Sequence, residues 1–209
     1  MIRILCYGDS NTYGYEPETG RFPVEKRWIT ILGSMLGETC RLINEGQNGR
    51  TTAFDSYGGH ADNGLASLGD CLARNTPVDI VIFMLGTNDC AAQLNLSPED
   101  IATGMEQLVL EVQRCSHGRH GGAPHSIVVA PPAIREGYGQ SPFAFQLDAN
   151  SVRKSGAIVA LYRELAKRHS CLFLDASDLD VSAYDCEHLT AEGHRALADR
   201  LYPLIRAII

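Results

Sequence analysis

The sequence predicts an α/β fold with a parallel sheet, on three observations. Short apolar runs rich in Ile, Val, Leu and Phe alternate with longer stretches of helical periodicity, the order of repeated βαβ units. Those runs are short and rich in apolar residues, as expected for strands covered on both faces. The irregular stretches 16–26, 55–64 and 131–148 follow strand ends or near-strand ends, so right-handed crossovers gather them at one edge of the sheet.

Strands are expected at 2–7, 40–44, 79–85, 126–130 and 171–174. Helices fit between them, at about 28–36, about 65–74, 98–115, about 151–168 and 191–208. The third opens with Ser97 as N-cap, Pro98 at the first helical position, and Glu99 and Asp100 in the first turn. The last opens with Thr190 and Glu192, then sets Ala196, Leu197, Leu201, Leu204 and Ile205 on one face. Pro203 is expected to kink it.

Composition narrows the function classes. A chain of 209 residues suits one domain, taken as 1–209, and is short for two. Apolar residues at 44% and charged residues at 21% match ordinary globular usage, so disorder is not expected. The net charge of −7 and the lack of a basic stripe exclude a nucleic-acid partner. Arg163, Lys167 and Arg168 read as the solvated face of one helix. No run approaches the roughly 20 apolar residues of a membrane span. Arg3 and Asp9 rule out a signal-peptide pattern, which leads to an expected cytoplasmic location. The seven cysteines are odd in number, widely spaced and free of Cys-x-x-Cys pairs, so buried free thiols are expected. No metal or cofactor is implied.

Four segments carry chemistry-bearing residues. Ser10, in Tyr7-Gly8-Asp9-Ser10-Asn11, stands where the first strand turns, on a rigid element open to the crevice. A serine hydroxyl attacks poorly unless a base takes its proton and donors hold the resulting oxyanion. In Asn44-Glu45-Gly46-Gln47-Asn48-Gly49, Gly49 either brings a backbone N–H against a ligand or is an ordinary turn glycine. In Leu85-Gly86-Thr87-Asn88-Asp89, Asn88 either offers an amide donor or closes the strand with an Asx-turn. In Asp185-Cys186-Glu187-His188, the spacing lets a carboxylate orient an imidazole that still faces the crevice. His60, His117, His120 and His125 lie in polar, Gly-rich loops, while His169 ends a helix and His194 reads as structural.

Gly8-Asp9-Ser10, Gly49, Gly86-x-Asn88-Asp89 and Asp185-x-x-His188, in this order, resemble the four sequence blocks of the SGNH (GDSL) hydrolases. The resemblance covers nearly the whole chain. It implies a flavodoxin-like three-layer α/β/α sandwich with a five-stranded parallel sheet. It also implies Ser10 as nucleophile, His188 as base and Asp185 as its orienting partner. The Ser10 and Gly49 backbone N–H groups and the Asn88 side chain would form the oxyanion hole. Residues 4–15 and 44–52 look like the arylesterase and acyltransferase branch, which commonly acts on short-chain and aryl esters and often forms oligomers. Two departures stand out. Tyr13 and Tyr15 occupy positions where that branch often carries tryptophan, and Cys186-Glu187 replaces a small or apolar pair. Glu187 either raises the basicity of His188 or, as the simpler expectation, points into solvent.

The implied function is a serine esterase hydrolysing or transferring short acyl groups of small carboxylic or aryl esters, with a small-molecule ester as partner. A carbohydrate O-deacetylase or a thioesterase would use the same residues. Asp9, Asn11, Tyr13, Tyr15, Thr87, Phe143 and Phe145 are candidates for the substrate pocket, with Tyr138 also on the aromatic loop. Asp9 and Asp89 are expected to brace the Ser10 turn and Asn88, respectively, rather than to take part in the chemistry. Phe22, Pro23, Phe143 and Phe145 either pack against another subunit of a homo-oligomer or cover the pocket. A non-catalytic binding module would lack at least one of the set, and none is missing. A nucleotide- or flavin-binding domain would not place Asp9 where phosphate approaches.

Overall fold

The computed structural model describes residues 1–56 and 58–209. Five strands form one sheet: β1 (Ile2–Gly8), β2 (Cys40–Gly46), β3 (Ile80–Met84), β4 (His125–Ala130) and β5 (Leu172–Asp175). All neighbouring pairs are parallel and the order is β2-β1-β3-β4-β5. This is the flavodoxin-like order, in which the chain reverses its direction of winding beside β1. The helices are α1 (Ser10–Tyr13), α2 (Trp28–Leu36), α3 (Gly64–Asn75), α4 (Pro98–Arg114), α5 (Ala149–Arg168) and α6 (Ala191–Arg206).

Successive strand residues point to opposite faces, and the apolar residues of the three central strands feed a separate core on each, while the edge strands β2 and β5 are only partly buried. Leu5, Tyr7, Val81, Phe83 and Val128 pack under α3, α4 and α5 with Leu68, Met105, Leu108, Ile158 and Tyr162. Ile4, Cys6, Ile80, Ile82, Ile127 and Val129 pack under α2 and α6 with Trp28, Leu32, Leu197, Leu201 and Ile205. The result is three layers. None of the helices among the described residues is long and apolar enough to cross a membrane. All seven cysteines are free, five of them buried.

The capping expectations hold. The Ser97 hydroxyl accepts from Asp100 N at 3.1 Å, and the Thr190 hydroxyl accepts from Gly193 N at 3.0 Å. Helix α5 starts two residues before the expected position because Asp148 caps it, accepting from Ser151 N at 2.8 Å. Ser151 is therefore the third helical residue, not the first. The single turn α1 was not expected, since four residues carry no periodicity. His125 belongs to β4, not to the preceding loop. Helix α6 runs through Pro203 to Arg206.

Gly46 shows how closely the sheet edge is built. A Cβ there would lie 2.6 Å from Tyr13 Cα, against the backbone of α1. Gly46→Ala is expected to destabilise the fold by roughly 3 kcal/mol, because backbone on both sides must yield. Urea unfolding monitored by far-UV circular dichroism measures it.

Candidate active site

The carboxyl ends of β1, β2 and β3 lie side by side, and the segment after each delivers one element of the site. After β1, Asp9 caps α1 by accepting from Asn11 N at 2.9 Å, which fixes the turn carrying Ser10. After β2, the buried Arg50 donates to Gly8 O at 2.8 Å and to Gln47 Oε1 at 3.1 Å, with its guanidinium 4.1 Å over the Tyr7 ring. It also donates to Glu45 O. The Gly49 loop is thereby tied to the end of β1. Gly49 itself has φ of +81°, a region in which glycine carries no steric cost. After β3, Asn88 donates to Arg50 O at 3.0 Å through one of its two amide hydrogens. The other remains for the cleft that Asn88 lines. The Ser10 and Gly49 N–H groups are engaged in no backbone hydrogen bond among the described residues.

The fourth segment precedes α6. His188 Nε2 lies 2.8 Å from Ser10 Oγ, and His188 Nδ1 lies 2.7 Å from Asp185 Oδ2. The other Asp185 oxygen accepts from His188 N at 3.1 Å and Glu187 N at 3.2 Å, so the carboxylate is oriented by its own turn. Asp185 is fully buried, and His188 nearly so. Burial alone would push the His188 pKa down. The bond from Asp185, with the charges of Glu187, Asp185 and Asp9, outweighs that and leaves it above its ordinary value. The chain of bonds can pass the Ser10 proton to an imidazole whose tautomer is fixed.

These groups open on a cleft of about 240 Å³ lined by Ser10, Tyr15, Gly49, Thr87, Asn88 and Phe143, among others. The Tyr15 ring lies 4.6 Å and the Phe143 ring 5.8 Å from the His188 ring. Four pocket candidates lie elsewhere. Asp9 is fully buried beneath the Ser10 turn, and burial pushes its pKa up to about 6. Asn11 clamps the His188 segment, accepting from Leu189 N at 2.8 Å and donating to Glu187 O at 3.2 Å. Tyr13 is covered by the Arg21 guanidinium, 3.7 Å above its ring. Phe145 is 70% exposed and borders a neighbouring hollow with Ser56, Asp62, Gln93 and Gln146. Asp89 braces the loop after β2 rather than Asn88: it accepts from Thr52 N at 3.0 Å and Thr52 Oγ1 at 2.5 Å.

Glu187 departs from the solvent-facing expectation, for it lines the cleft, and burial raises its pKa to about 7. Asn48, Ala91, Gln146 and Leu147 also line the cleft, and no motif in the sequence marks them. Their signal was their position beside Gly49, Asn88 and the Asp148 cap. His194 is a core histidine: its Nδ1 accepts from Trp28 N at 3.4 Å, and burial pushes its pKa down to about 4. Phe22 packs edge-on against it. The segment 55–64 includes residue 57, which lies outside the described residues.

Three solved structures frame the chain. An aryl esterase from M. smegmatis is 34% identical with a TM-score of 0.92, each chain covered in full. A carbohydrate acetylesterase family member from Sinorhizobium meliloti is 35% identical with a TM-score of 0.91, over 99% of this chain and 98% of that one. A carbohydrate acetylesterase from the same organism is 33% identical with a TM-score of 0.92, again over the whole of both chains. No curated protein matches. The model of the GDSL-like lipase/acylhydrolase family matches residues 6–196, and with a flavodoxin-like sheet presenting Ser10, Gly49, Asn88 and His188 at one edge, the chain belongs to that SGNH family.

Proposed function

We propose that the chain is a serine esterase that hydrolyses or transfers short acyl groups of small carboxylic or aryl esters through an acyl-enzyme on Ser10. One observation carries this reading: the unbroken hydrogen-bonded series from Ser10 Oγ through His188 to Asp185 at the floor of a cleft. His188 takes the hydroxyl proton as Ser10 attacks the ester carbonyl. The Ser10 and Gly49 N–H groups and the Asn88 amide hold the oxyanion. Protonated His188 then gives its proton to the departing alkoxide. Water, or an acceptor alcohol, loses a proton to His188 as it attacks the acyl-enzyme, and Ser10 recovers its proton when the acid or new ester leaves. The small cleft volume and the Tyr15 and Phe143 walls favour short acyl or aryl groups over long lipid chains.

A second reading, carbohydrate O-deacetylation, draws on the hollow adjoining the cleft. Phe145 there offers an apolar face beside the polar Asp62, Gln93 and Gln146. Two of the similar structures are also described as carbohydrate acetylesterases. Turnover of p-nitrophenyl esters from acetate to decanoate, beside an acetylated sugar, tests both. The primary reading expects kcat/KM to be largest for acetate to butyrate and to fall with chain length. A sharp preference for the sugar would replace it with the second, and no turnover of any ester would overturn both.

Two further outcomes follow from the geometry. Asn88→Ala is expected to lower kcat by about 10²–10³, because one preorganised donor to the developing charge is lost. Its bond to Arg50 O is worth about 1 kcal/mol, so thermal unfolding should move only slightly. The pH profile reports His188, which must be neutral to accept the proton. Since its pKa is raised, kcat/KM for a neutral ester should rise with pH through a midpoint above the ordinary histidine value of about 6.5.

A further inference from the structure

We propose that Glu187 makes the cleft select esters bearing a fixed positive charge, such as a quaternary ammonium, within reach of the scissile carbonyl. The inference rests on the esterase reading and adds a substrate class to it. Glu187 is the one carboxylate among the described residues lining the cleft, and no lysine or arginine lines it. Its backbone is held at both ends: the N–H donates to Asp185 Oδ1 at 3.2 Å, and the carbonyl accepts from Asn11 Nδ2 at 3.2 Å. The preceding residue, Cys186, has φ of +68° and its carbonyl accepts from Arg135 N at 2.8 Å. This anchored turn leaves the side chain in the wall of the cleft.

The charges around Glu187 leave it without a stabilising partner other than His188. Asp185 in its own turn and Asp9 beneath Ser10 both disfavour its ionised form, and only His188 opposes them. Facing groups from other elements are the Tyr15 hydroxyl after α1 and the Cys90 thiol after β3; their raised pKa values keep both uncharged, and neither group can carry a positive charge. Lys154 on α5 is buried and turned to Ala91 O at 3.5 Å. A carboxylate partly removed from water with no ion pair is unfavourable until a cation reaches it. A cationic substrate supplies one. An anionic group in the same place would meet Glu187, Asp185 and Asp9 together.

Matched isosteres test the inference. On the alcohol side the pair is acetylcholine and 3,3-dimethylbutyl acetate. On the acyl side it is betaine ethyl ester and ethyl 3,3-dimethylbutanoate, each rate divided by that ester's hydroxide-catalysed rate. Within a pair the protonation of His188 affects both esters equally, so the ratio of kcat/KM values isolates the charge. We expect a ratio of roughly tenfold in favour of the cation at pH 8 for at least one pair. It should decline towards one below pH 6, as Glu187 becomes neutral through its value of about 7. Glu187→Gln should flatten the ratio across pH, and the wild-type pH dependence is decisive even if that variant folds poorly. Ratios at or below one in both pairs, or a preference that persists unchanged in Glu187→Gln, would overturn it. Failure to turn over any ester would instead overturn the esterase reading.

Discussion

Ser10→Ala is expected to lower hydrolysis of an aryl acetate by a factor on the order of 10⁵ while leaving the fold intact. The magnitude follows from removing the attacking atom: binding and the oxyanion donors persist, but no covalent intermediate can form. The side chain makes little else. Its hydroxyl contacts His188 Nε2, and the turn that presents it is held by Asp9 and by backbone bonds that the substitution leaves in place. Steady-state rates beside a thermal melt separate loss of chemistry from loss of structure. A variant that kept a tenth of the wild-type rate would remove Ser10 from the mechanism.

Asp185→Asn should cost about 10⁴ in kcat. In the wild type both Asp185 oxygens accept, one from His188 Nδ1 and the other from two backbone N–H groups. An asparagine must turn its NH2 towards one of these donors. If the carboxamide oxygen stays on the backbone, the NH2 faces Nδ1 and selects the tautomer with its proton on Nε2, where it cannot accept from Ser10. The buried counter-charge is lost as well. The rise in kcat/KM should therefore shift to lower pH than in the wild type, since the Asp185 bond raises the His188 pKa. Pre-steady-state acylation rates across pH measure both effects. Loss of rate with an unchanged profile would show that Asp185 does not tune the base.

What the sequence could show about the fold depended on periodicity and caps. β3 is a wholly apolar run and the other four strands carry shorter apolar stretches, while each of the helices capped by Ser97 and Thr190 begins directly after its capping residue. Single-turn α1 and the early start of α5 needed side-chain bonds from Asp9 and Asp148 that no periodic pattern announces. The site divides along the same line. Strand ends deliver Ser10, Gly49, Thr87 and Asn88 to a common edge, whatever the side-chain detail. Taken singly, Gly49 and Asn88 read equally as turn residues, and the resemblance of the four segments to one family is what singles them out. Asn11 and Tyr13 were misplaced because direction within a tight turn is set by distant partners, Leu189 and Arg21. The Arg50 bonds to Gly8 and the Asp89 bonds to Thr52 span 42 and 37 residues of sequence, and nothing local encodes them. For Glu187 the sequence leaves two readings open, a charge beside His188 or a solvated carboxylate, and only the anchored backbone of its turn decides for the first.

The most direct test of the central claim is intact-mass analysis after exposure to a fluorophosphonate. Attack by an activated serine expels fluoride and leaves one phosphonyl group per chain, so the account predicts a single adduct that maps to Ser10. The adduct should be absent in Ser10→Ala and form far more slowly in Asp185→Asn. Undiminished ester turnover by a chain that takes up no label, or label carried on another residue with loss of activity, would contradict it.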